Sequence, residues 1–86
     1  MKTIYKYPVS VGPNLLELPI GAKIVHFAAQ GDSLFLWAEI PSPDSRTTTR
    51  PFRVYGTGFA IEPDYEHVAT CFSRDGLFVW HLYERM

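Results

Sequence analysis

The stretch Lys23-Ile24-Val25-His26-Phe27-Ala28-Ala29-Gln30-Gly31-Asp32-Ser33-Leu34-Phe35-Leu36-Trp37-Ala38-Glu39-Ile40 decides the fold class. Two apolar, β-branched and aromatic runs flank Gly31-Asp32, a two-residue connection with glycine where a type II′ turn needs it. The spacing predicts a hairpin of Lys23–Gln30 with Ser33–Ile40, pairing His26 with Trp37 and Phe27 with Leu36. Alternation along paired strands puts Val25, Phe27, Ala29, Leu34, Leu36 and Ala38 on one apolar face. Ile24, His26, Ala28, Phe35, Trp37 and Glu39 share the opposite, mixed face. The first face reads as core.

The same logic gives a second hairpin. His67 to Ser73 and Leu77 to Glu84 are joined across Asp75-Gly76, a strong short-range hairpin signal. The register pairs Phe72 with Val79, Cys71 with Trp80, and Thr70 with His81. Both faces of this hairpin read as largely apolar, so it sits centrally or one face meets another subunit.

Outward from the hairpins, seven prolines and six glycines cut the chain into short pieces, none with a long helical period. Ile4 to Val11 reads as a strand, with Pro8 marking an edge position. Leu15 to Leu18 is a short extended piece. Pro41 to Pro51 reads as the longest loop, polar and carrying Arg46 and Arg50. Phe52 to Tyr55 is a strand running into Gly56-Thr57-Gly58, and Phe59 to Ile61 extends it. Glu62 to Glu66 is an acidic turn with room for one helical turn. Residues 1–86 make one domain, expected as a mostly all-β antiparallel sandwich or barrel of about six strands.

A net charge of −1 excludes a general nucleic-acid binder, which needs a strongly cationic surface. Cys71 is the single cysteine, so neither an internal disulfide nor a thiolate zinc site is available, and a cytoplasmic location is expected. The start lacks the apolar core of a signal peptide, and no apolar run approaches a membrane span. The three histidines, His26, His67 and His81, complete no metal-ligand set with Cys71. Cys71 lies mid-strand among apolar neighbours, where a thiol is inert. No spacing singles out a catalytic carboxylate pair. No cofactor and no catalytic residue is expected.

Gly56-Thr57-Gly58 lacks the lysine and helix of a phosphate loop and reads first as a kink, although exposed N–H groups beside Arg53 could hold an anion. The aromatic and cationic groups carry more promise. Aromatic faces stack on bases and arginine forks grip phosphates. Trp37 or Trp80 for stacking, Arg46, Arg50 and Arg53 for phosphate, and Thr57 and His81 for polar contacts form the candidate ligand set. Against it stands the ordinary reading of a packed tryptophan and solvated loop arginines.

Ile4-Tyr5-Lys6-Tyr7-Pro8 resembles the I-W-K-Y-P start of a small uncharacterised family common in phages and prophages. Leu18-Pro19-Ile20-Gly21-Ala22-Lys23-Ile24 resembles its L-P-x-G-A-x-I, and Leu36-Trp37-Ala38 its L-W-A. Phe52-Arg53-Val54-Tyr55-Gly56-Thr57-Gly58 is similar to its F-x-x-x-G-T-G, and Val79-Trp80-His81-Leu82-Tyr83-Glu84 to its closing V-x-H-V-F-E. Phe59 and Ala69 depart from the histidine and glycine common at those places. The resemblance implies a phage context, and with it the host cytoplasm. Small phage accessory proteins often counter host defence, some by sequestering cyclic nucleotide or cyclic ADP-ribose signals between subunits, others by binding a host protein. The expectation is a homo-oligomer that binds a small nucleotide-like ligand without cleaving it. The alternatives are an inhibitor that binds a host defence protein, and a virion or assembly component.

Overall fold

The computed structural model describes residues 1–86. It is all-β, with seven antiparallel strands and no helix: β1 (Thr3–Val9), β2 (Gly12–Pro19), β3 (Lys23–Gln30), β4 (Ser33–Ile40), β5 (Thr47–Gly56), β6 (Tyr65–Phe72) and β7 (Val79–Arg85). They form a three-stranded sheet, β1-β4-β3, and a four-stranded sheet, β2-β5-β7-β6. The two inner faces pack as a sandwich. Leu36, Ala38, Ile40 and Phe27 from one sheet meet Leu18, Phe52, Val54 and Leu82 from the other, all buried.

Both hairpins have the expected register. His26 lies opposite Trp37 and Phe27 opposite Leu36. Phe72 lies opposite Val79, Cys71 opposite Trp80, and Thr70 opposite His81. Gly31 has φ +59 while no non-glycine residue has positive φ, as a type II′ turn requires. The face assignment fails at one point. A bulge between Ile24 and His26 breaks the alternation, so Ile24 pairs with the core residue Ala38. Val25, expected in the core, is 43% exposed, and Ile24 packs against the core instead.

Several boundaries also differ, among them those of the second hairpin, whose strands are Tyr65–Phe72 and Val79–Arg85. The first expected strand ends at Val9, and the short Leu15–Leu18 piece is part of an eight-residue strand, β2. The expected loop loses its second half: Thr47–Pro51 belongs to β5. Three consecutive β-branched threonines favour extended backbone there. Pro51 is tolerated because β7 joins β5 only from Phe52 onward, leaving β5 a single neighbour at the residue without an N–H. Residues 59–61 lie outside any strand, and residues 62–65 form a turn closed by Tyr65 N–H donating to the Glu62 carbonyl (3.2 Å), with no helical turn. Pro8 does lie on an edge strand, β1.

Candidate functional site

The two ends of the sandwich are built differently. At one end Arg50 on β5 points between the sheets. Its Nε and Nη2 donate to both carboxylate oxygens of Glu84 on β7 (2.6 and 2.8 Å), and Nη1 donates to the Ala22 carbonyl (2.6 Å). These bonds to Glu84 hold the guanidinium even more firmly protonated than usual. This end is closed.

At the other end three turns surround a cleft of about 570 Å³, within the size range of ligand pockets. They are the β1–β2, β3–β4 and β6–β7 turns. Core residues Val9 and Leu34 reach its floor. Trp80, inward-facing on β7, lines it, with Phe78 stacked at 5.9 Å and 24°. The Gly56-Thr57-Gly58 signal is explained here. A Cβ on Gly56 would lie 3.3 Å from the Trp80 ring and 3.0 Å from that of Phe59, so glycine lets both rings lie closer to β5 than a side chain would allow. Gly58, with φ +92, turns the chain after the strand.

Two of the three turns are stapled by their own side chains. Asn14 accepts from the Ser10 N–H (2.9 Å) and donates to the Ser10 and Gly12 carbonyls (2.8 and 3.0 Å). In the β6–β7 turn the Asp75 carboxylate accepts from the Ser73 hydroxyl (2.6 Å) and the Leu77 N–H (3.0 Å). Those two bonds, the Ser73 hydroxyl first, hold the Asp75 carboxyl below its usual pKa. Such fastening limits the ordering that a bound ligand would have to impose. Arg74, in the same turn and lining the cleft, makes no ion pair.

The outer face of the four-stranded sheet carries a hydrogen-bonded chain. Thr57 Oγ1 lies 2.9 Å from His81 Nε2, His81 Nδ1 lies 2.9 Å from Thr70 Oγ1, and Thr70 Oγ1 lies 2.8 Å from His67 Nε2. Tyr83 packs edge-on against both His67 and Tyr55. This corrects the reading of the second hairpin as apolar on both faces. The inner face, with Cys71, Trp80 and Leu82, is apolar. On the outer face the histidines and threonines satisfy one another, within β6 and across to β7 and Thr57. What is exposed and apolar is the hairpin tip, with Phe72, Leu77 and Phe78.

The candidate residues therefore do not converge. Trp37 lies on the outer face of the three-stranded sheet beside His26 and Phe35. Arg53, Thr57 and His81 lie on the outer face of the other sheet, on the opposite side of the sandwich. Arg53 is paired with Glu62 (3.3 Å). Arg50 is consumed at the closed end. The Arg46 carbonyl accepts from the Ile20 N–H (2.7 Å), and its side chain makes no ion pair and does not line the cleft. Of the candidate residues, Trp80 alone lines the open-end cleft. Phe78, Arg74 and Asp32, its other recognition-capable residues, carry no motif and were not anticipated. Turn residues of a hairpin give no signal until several turns are brought to one end. Burial raises the Cys71 thiol above its usual pKa, which suits an inert core residue.

The two-layer sandwich and the end-on cleft together define a small two-sheet β domain with an open cleft at one end. Residues 1–86 match the family model described as Domain of unknown function (DUF7352), and the chain belongs to that family. No curated protein and no solved structure matches it. No helix is long and apolar enough to cross a membrane.

Proposed function

We propose that the protein binds and sequesters a small nucleotide-derived ligand without cleaving it, as a phage-type accessory protein would to intercept a host immune signal. The observation that carries this reading is the open-end cleft, where the Trp80–Phe78 stack stands beside the unpaired Arg74. A stacked aromatic pair offers a planar face to a base, and a free guanidinium offers a fork to a phosphate. Of the residues anticipated for the ligand, Trp80 keeps its place, and Arg74 takes the phosphate role first given to Arg46, Arg50 and Arg53. Calorimetric titration against a panel of nucleosides, nucleotides, cyclic nucleotides and cyclic ADP-ribose isomers tests it. A complex with a dissociation constant near or below about 10⁻⁵ M is expected. Absence of heat across the whole panel sinks the reading.

A second reading is favoured by the hairpin tip, where Phe72, Leu77 and Phe78 are 64%, 77% and 58% exposed. Clustered exposed apolar side chains suit a protein partner. In that reading the domain inhibits a host defence protein by covering part of it. Sedimentation separates the two. A symmetric homo-oligomer that buries Phe72 and Leu77 but keeps the cleft open removes the surface needed for inhibition and leaves the ligand reading in place. A monomer with an open tip favours the inhibitor.

A further inference from the structure

The charges around the cleft narrow the ligand. We infer that the cleft takes a planar heteroaromatic carrying a single phosphate and an amino-bearing edge, the chemistry of a nucleoside monophosphate or cyclic mononucleotide. The inference rests on the ligand-binding reading above.

Three ionisable groups line the cleft: Arg74, Asp32 and Asp75. Arg74 is exposed and without an ion-pair partner, so its fork is available to one anionic group. Asp75 is committed to Ser73 and Leu77 and stays ionised at neutral pH, because those bonds favour its charged form. Asp32, on the tip of the β3–β4 turn, is exposed and makes no ion pair. The local balance is one cation against two carboxylates. One phosphate can be matched by Arg74. A second or third would face two carboxylates with no further cation among the lining residues; Lys6, which lies over the ring of the lining residue Phe35, is engaged by Gln30. The same balance gives Asp32 a complementary use. An ionised carboxylate only accepts, so it selects a base edge that donates, such as the exocyclic amine of adenine or guanine. Trp80 and Phe78 supply the stacking surface and do not discriminate among bases.

The experiment is a calorimetric series on the full chain at fixed ionic strength. Its ligands are AMP, cyclic AMP, GMP, IMP, ATP and cyclic di-AMP. One-phosphate ligands are expected to bind at least about tenfold tighter than ATP or cyclic di-AMP, a difference of roughly 1.4 kcal/mol. GMP is expected to bind tighter than IMP, which lacks the exocyclic amine. Arg74→Gln should weaken one-phosphate ligands about tenfold, and Asp32→Asn should erase the GMP-over-IMP preference. Both positions are exposed turn residues, and thermal unfolding of each variant confirms that the fold is kept. If ATP or cyclic di-AMP binds as tightly as AMP, or if both variants bind like the parent, the single-phosphate inference is overturned while ligand binding itself stands. If none of these ligands nor the wider panel binds, the functional reading falls and this inference with it.

Discussion

The closed and open ends of the sandwich use similar residues to opposite effect. Each has an arginine, acidic groups and an aromatic ring. At the closed end Arg50 is fully engaged by Glu84 and Ala22 and lies over the Phe52 ring (5.5 Å from its centre). At the open end Arg74 has no ion-pair partner, and Asp75 is tied into its own turn. The difference comes from sheet pairing. Phe52 opposite Glu84 brings β7's carboxylate to β5's arginine between the layers. Four residues along β7, Trp80 faces Gly56, where the strands diverge into turns and no strand crosses the gap. A partly buried, bidentate pair locks one end. The other end leaves Arg74 without an ion-pair partner at the edge of an open cleft.

This contrast can be broken most directly at Arg50. Arg50→Ala should leave the Glu84 carboxylate and the Ala22 carbonyl without partners and cost roughly 2–4 kcal/mol of stability. Urea denaturation measures it, and ligand affinity of the folded variant should be unchanged. A variant as stable as the parent would show that the pair does not hold the closed end.

A smaller effect is expected at the open end. Gly56→Ala places a methyl against the Trp80 and Phe59 rings, which must shift. The expected cost is about 1 kcal/mol, with an altered Trp80 emission in a Trp37→Phe background. Unchanged emission and stability would mean that the glycine is not what seats the ring. Smaller still is the outer-face chain. Thr70→Val removes the hydroxyl between His67 and His81 and should cost up to roughly 1 kcal/mol, without effect on ligand binding. Matched denaturation and titration curves check both halves of that statement.

The smallest effect concerns acid. The Asp75 carboxyl has its pKa lowered in the folded chain, so the unfolded state takes up a proton first as pH falls. Its contribution is fully present above the ordinary carboxylate pKa and is lost as pH falls through the lowered value. Asp75→Asn should lower stability across the neutral range and flatten the acid limb in that window, with the most acidic end changed least. An acid limb identical in both proteins would contradict the turn's role.

Much of the fold was legible because it is local. Gly31-Asp32 and Asp75-Gly76 specify their hairpins through turn geometry, and both registers follow by counting outward. Pro8 marks an edge because it has no N–H to give a second neighbour. Local counting failed at Val25, where a bulge adds one residue to the strand and reverses its side. It failed again at Thr47–Pro51, where polar composition suggested a loop but β2 supplied a pairing partner. The outer-face chain escaped because histidine and threonine interrupt an otherwise apolar alternation pattern, while two of their three contacts, those of His81 with Thr57 and Thr70, form only when β7 meets its neighbours.

By itself the sequence determined the all-β class, the two hairpins and their registers, since turn chemistry and period-two alternation act over a few residues. Only the tertiary structure decided which arginine is consumed and which is free. It also separated Trp37 from Arg53 and placed Trp80 at an opening. Those outcomes depend on β5 pairing with β7 and on two sheets stacking face to face. The contacts concerned join residues tens of positions apart, and no local spacing encodes them.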